Sequence, residues 1–180
     1  MTVHATGGHA ADTPRVSVWD PLLRALHWSL ATSFAVAYLT GETWMSVHEL
    51  AGYAIVAIVG VRALWGLVGP RHARFDDFVP GPRALLAYLR ALAAGRAPRH
   101  LGHNPAGGAM IVALLASLLA ASATGILTDS LGKAAEELHE LAANACLILV
   151  LIHIAGVVAT SLLHHENLVA AMITGRKRSH

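Results

Sequence analysis

The sequence predicts an all-α integral membrane protein, a four-helix transmembrane bundle, and three observations carry that prediction. Of its 180 residues 55% are hydrophobic and only 13% are charged, against about 25% charged in an ordinary soluble domain. Four apolar stretches, 22–39, 47–68, 106–127 and 138–163, are long enough to cross a bilayer, which takes about 20 residues. Ionisable residues nevertheless stand inside them, His27 in the first, Arg62 in the second, and His139 and His153 in the fourth. Such groups are costly in a membrane and are functional candidates by default.

The chain divides into a flexible N-terminal tail over 1–17, a membrane domain over 18–172 and a basic C-terminal tail over 173–180. Little remains for any soluble domain. Residues 1–18 contain His4, His9, Asp12 and Arg15 rather than a short basic region leading into an apolar core, and no small-residue cleavage pattern follows Leu39. The first span therefore does not read as a cleaved signal. His4 and His9 read as part of an unstructured tail rather than a metal site. The single cysteine, Cys146, sits mid-span and excludes the CxxCH attachment of a covalent haem.

Each helix start carries its own signal. Asp20-Pro21 places a capping side chain before a proline at the first helical position, and Asn104-Pro105 repeats that arrangement before the third span. Gly69-Pro70 closes the second span. In the loop 69–105, residues 82–95 read as a short helix with Leu85, Leu86, Leu89 and Leu92 on one side, and Arg83 and Arg90 available to anionic headgroups. No internal repeat is evident.

Six arginines, Arg71, Arg74, Arg83, Arg90, Arg96 and Arg99, lie in the central loop or at its edges, and Arg176, Lys177 and Arg178 close the chain. The other two connections carry Lys133 against Glu42, Asp129, Glu136 and Glu137. The positive-inside rule then places both termini and the central loop in the cytoplasm.

That topology makes the depths of the histidines comparable. His139 and His153 are fourteen residues apart, which on a helix returns to within about 40° of the same face and separates them by roughly 21 Å along the axis. His48 opens the second span at the outer side, level with His139; His27 lies near the cytoplasmic end of the first, level with His153. Two imidazoles at one depth on different helices suit bis-histidine ligation of a planar haem inside a bundle. His164, eleven residues after His153, shares its face and competes for the ligand role from the membrane edge.

Arg62 shares the face of His48 one haem level deeper, and Arg24 precedes His27 by three residues. Both can meet haem propionates, or can snorkel to headgroups. His103 can hydrogen-bond a propionate or face water. Gly52, one turn after His48, together with Gly125 and Gly156, permits close approach either of a flat ring or of another helix.

The ordered set Trp19-Asp20-Pro21, Arg24, His27-Trp28, His48-Glu49, Gly52, Arg62, Trp65-Gly66, His103-Asn104-Pro105, His139-Glu140-Leu141 and His153 continues through Glu166-Asn167-Leu168 and 172–178. In this the chain resembles the bacterial cytochrome b(561) family, which includes the b-type cytochrome subunit of nickel–iron hydrogenases. The resemblance implies a transmembrane di-haem cytochrome b with two haem b groups. Its axial ligands would be His27, His48, His139 and His153, paired His48/His139 on the outer side and His27/His153 on the inner. It also implies electron transfer between the quinone pool and a redox partner, either a periplasmic c-type cytochrome or a dehydrogenase or hydrogenase subunit. Membrane lipid and a second copy of the chain are further expected partners, and nucleic acid is not among them. Acidic residues of the outer loops, Glu136, Glu137 and Glu140, offer a docking surface for a basic cytochrome. Two other classes compete: a stand-alone quinone oxidoreductase acting on superoxide or another small oxidant, and a histidine-dependent metal transporter. The transporter would need acidic residues along its spans, and these spans hold almost none.

Overall fold

In the computed structural model residues 14–179 are described; His4 and His9 lie outside them. Four long helices form the body: α1 (Pro21–Thr40), α2 (Met45–Val68), and, after two short helices α3 (Phe75–Phe78) and α4 (Pro82–Ala93), α5 (Pro105–Ile126) and, after the single turn α6 (Thr128–Leu131), α7 (Lys133–Leu163). A final short helix α8 (Leu168–Thr174) follows.

The starts of α1 and α5 form as their sequences dictate. The Asp20 carboxylate accepts from the Leu23 amide at 2.9 Å, and the Asn104 side chain accepts from the Gly107 amide at 2.7 Å. Each satisfies an amide that has no partner within its helix. α7 begins five residues before the apolar stretch that announced it, because Gly132 turns the chain at φ +62°. That conformation is easy only for glycine.

By length and composition α2, α5 and α7 can cross a membrane. The sequence reading expected four spans, and α1 falls short of that composition although it is 20 residues long. Arg24, His27 and its serines and threonines dilute its apolar character. It packs along α2, one of those three helices. Leu64, Leu67, Leu141, Leu151 and Leu162 are more than half exposed, a surface suited to lipid and costly in water.

α1 packs on α2, α2 on α5, and α5 on α7. The core between them gathers Ala37, Ala51, Ile55, Val59, Leu118 and the fully buried Cys146. α7 faces α1 and α2 without close backbone packing; a hydrogen bond of 2.8 Å from Tyr38 to Asn144 bridges α1 and α7.

The bundle has two ends. At the hairpin end lie the α1–α2 and α5–α7 connections. At the opposite, terminal end lie the long α2–α5 loop and both ends of the described chain, residues 14 and 179. There the tail boundaries drawn from sequence shift. Residues 15–17, assigned to a flexible tail, and 176–178, assigned to a basic tail, pair as antiparallel strands β1 (Arg15–Ser17) and β2 (Arg176–Arg178). Composition gave no sign of this, since the pairing is between backbones far apart in sequence. Under the strands, Val18, Trp19, Leu23, Ala73 and Ala171 form a second small core.

Candidate functional site

The four span histidines come together in two pairs. The rings of His27 on α1 and His153 on α7 have centroids 6.4 Å apart, and those of His48 on α2 and His139 on α7 are 5.8 Å apart. Two metal–imidazole bonds of about 2.0–2.1 Å, with about 1.1 Å from nitrogen to ring centre, would separate the centroids by about 6.3 Å. Both pairs are therefore spaced to take one metal ion between them. Each pair bridges two helices that do not pack closely on one another. α7 runs unbroken from Lys133 to Leu163, so its two histidines share a face about 21 Å apart along the axis. His164 caps the end of α7, and the ring opposite His27 is that of His153.

At the hairpin end both rings are anchored. His48 Nδ1 lies 2.8 Å from the Ala37 carbonyl, and His139 Nδ1 lies 2.8 Å from the Ala121 carbonyl. These two carbonyls were not anticipated from sequence. The available signal was a five-residue pattern, Ala-x-x-Thr-Gly, present at 37–41 and again at 121–125, too short to register as a repeat.

Toward the terminal end stands Arg62, 6% exposed, with its guanidinium 5.2 Å and 5.6 Å from the ring centroids of Phe75 and Phe78. Neither of its terminal nitrogens has a hydrogen-bond partner. An arginine buried under aromatic faces with its forked donors free is a receptor for an anion, carboxylate above all. His103 packs between Trp19 and Phe78, at centroid distances of 4.5 Å and 4.9 Å, and its Nδ1 is buried without a partner. Burial first, and then the positive charges of Arg62 and Lys177, push the His103 imidazole down to about 3. Arg24 donates through Nη1 to the Ile173 carbonyl at the end of α8, and its buried Nε has no partner. Gly52 touches nothing, since a Cβ there would meet open space; it does not serve close helix packing.

Beside this site a buried ionic cluster secures the terminal end. Glu166 accepts from Arg99 at 3.0 Å and lies 3.4 Å from Lys177, whose ammonium also donates to the His100 carbonyl at 3.0 Å.

Two imidazole pairs each spaced for a metal ion, and a buried arginine with free donors, are residues that can hold a haem. Comparison with known proteins agrees. The sequence model of prokaryotic cytochrome b561 matches residues 18–175, nearly all of the chain. A curated relative from Bradyrhizobium diazoefficiens (strain USDA 110), a probable Ni/Fe-hydrogenase B-type cytochrome subunit, is 24% identical over 227 aligned positions. The alignment covers 99% of this chain and 92% of the relative. No solved structure matches the chain. The chain belongs to the prokaryotic cytochrome b561 family, and is by that membership a b-type, haem-carrying electron-transfer protein of the membrane.

Proposed function

We propose that this protein carries electrons across the bacterial inner membrane through two haem b groups, between the quinone pool and a redox partner at the outer face. The observation that carries the reading is the double pairing on α7, His153 with His27 and His139 with His48, at spacings that fit a metal ion. When bound, haem supplies one-electron chemistry at its iron.

The residues do the rest. Two imidazoles at each site would hold the haem iron and would leave no position for oxygen or substrate, which suits electron transfer rather than bond chemistry. The free donors of Arg62 and the buried imidazole of His103 would receive the propionates at the terminal end, and Arg24 holds α8 against α1 beside them. The interval of about 21 Å along α7 sets the sites at two depths, one toward each face.

The arginine-rich α2–α5 connection and the basic strand β2 share one end of the bundle, which supports a cytoplasmic terminal end by the positive-inside rule. The hairpin end then faces the periplasm with exposed Glu42, Asp129, Glu136, Glu137 and Glu140. These carboxylates suit docking of a basic partner. The relative's name makes a hydrogenase subunit the first partner to try.

The test is a reduced-minus-oxidised spectrum of the purified chain with a haem count. A b-type α-band and two haems per chain are expected. No such band, or a count of one or fewer, would overturn the di-haem reading.

A further inference from the structure

The two imidazoles at the hairpin end are held in the same way. A carbonyl oxygen can only accept, so the 2.8 Å contacts to Ala37 and Ala121 put the proton of His48 and of His139 on Nδ1 and leave Nε2 with its lone pair. Each carbonyl lies in the last turns of a neighbouring helix. In each case a threonine hydroxyl folds back on the same turn: Thr40 donates to the Val36 carbonyl at 2.7 Å, and Thr124 to those of Ala120 and Ala121 at 2.8 Å and 3.0 Å. In each case also the residue one turn beyond the accepting alanine is glycine, Gly41 or Gly125. A side chain there would stand beside the carbonyl and the incoming ring.

The two glycines are not equal. A Cβ at Gly125 would come within 3.0 Å of His139 Nδ1 and 3.1 Å of its Cε1. A Cβ at Gly41 would meet His48 at 3.4 Å and 3.6 Å, ordinary contact distances. Neither His27 nor His153 makes such a carbonyl bond among the described residues.

We propose that Gly125 is a positioning residue for His139. By lacking a side chain it lets the ring lie against α5 and give its Nδ1 proton to the Ala121 carbonyl, which presents Nε2 as a ready and more basic metal ligand. The inference rests on the haem-ligand reading of the His48/His139 pair. Outer hydrogen bonds of this kind fix the tautomer and raise the basicity of a ligating imidazole, and their loss commonly costs 10–100-fold. A more basic ligand favours the ferric state. Displacing His139 therefore shifts the balance at this pair toward the ferrous state and leaves the His27/His153 pair as it was.

The experiment is a potentiometric titration of the purified, haem-loaded full chain, followed at its α-band, for wild type, Gly125→Ala and Gly41→Ala. In Gly125→Ala one haem should favour its ferrous form tenfold or more, a rise of about 59 mV for a one-electron couple, or be lost alone; the other haem should not move. Gly41→Ala should move neither. Two unmoved midpoints, or an equal shift of both, in Gly125→Ala would overturn the proposal. Should that variant fail to fold, the wild type decides. Ligand Nδ1 protons that exchange slowly with deuterated solvent at one haem and quickly at the other support the proposal, and equal exchange at both overturns it. A wild type with fewer than two haems would instead bring down the haem reading, and this inference with it.

Discussion

Asp20 and Trp65 share one oxygen atom with the first turn of α1. The same Asp20 Oδ1 that accepts from the Leu23 amide at 2.9 Å also accepts from the Trp65 indole at 3.2 Å. One carboxylate thus caps α1 and ties it to the end of α2, on the level where Arg62 waits. Asp20→Ala should cost about 1–2 kcal/mol for the cap and free the indole. Asp20→Asn, which keeps an acceptor, should cost less. Thermal unfolding of the solubilised protein followed by tryptophan fluorescence checks both; equal stability of Asp20→Ala and wild type would contradict the shared cap.

The histidine pairs predict a fixed pattern of haem loss. His153→Ala and His27→Ala should each remove the same haem, and His139→Ala and His48→Ala the other, with His164→Ala removing none. Haem counts per purified chain, with the remaining α-band identifying which haem is left, read the outcome. A haem lost from His164→Ala but kept in His153→Ala would move the ligand to the end of α7.

His103 predicts an acid-side loss of stability. Its folded imidazole is held at about 3 by burial and by the nearby cations, while in an unfolded chain it titrates at about 6.5. Between those values only the unfolded state takes up the proton, so stability falls as pH drops through that interval. His103→Gln should flatten the decline between pH 6.5 and pH 4.5, measured as the difference in Tm from wild type at each pH. Parallel curves would show that His103 is not held neutral.

The Glu166 cluster acts in a lower window. Burial pushes its carboxyl up, but the Arg99 hydrogen bond and the Lys177 charge outweigh that and hold it below the usual range. A carboxyl so depressed stabilises above its unfolded pKa of about 4.3, and the contribution is lost as pH falls through the folded value. At neutral pH Glu166→Gln leaves Lys177, 5% exposed, buried without its counter-charge, a loss of about 3–5 kcal/mol. Limited proteolysis after Lys177 or Arg178 should accelerate in the variant, and a cleavage rate unchanged from wild type would argue against the cluster as the clasp.

Much of the bundle was legible because its signals are local or periodic. Asp20-Pro21 and Asn104-Pro105 announce helix starts within three residues, and the fourteen-residue interval on α7 needs only helical arithmetic. Topology alone brought His27 level with His153 and His48 level with His139. What lay hidden depends on contacts between distant backbones. The carbonyls of Ala37 and Ala121 carry no side-chain signature, and β1 meets β2 across nearly the whole chain. Arg24 shows a different limit: its charge was visible, but its bond to the Ile173 carbonyl depends on α8 folding back beside it.

Because α7 carries one imidazole of each pair on a single unbroken helix, the two pairs are locked in phase. One residue inserted between His139 and His153 would swing one imidazole about 100° around the axis relative to the other and shift it 1.5 Å, so one site could be kept only by losing the other. Length can drift freely in the connections but not in that interval, where only changes close to whole turns return both rings to the same side. The stretch 139–153 is thus a ruler, and its graduations, rather than its particular apolar residues, are what the protein has to preserve.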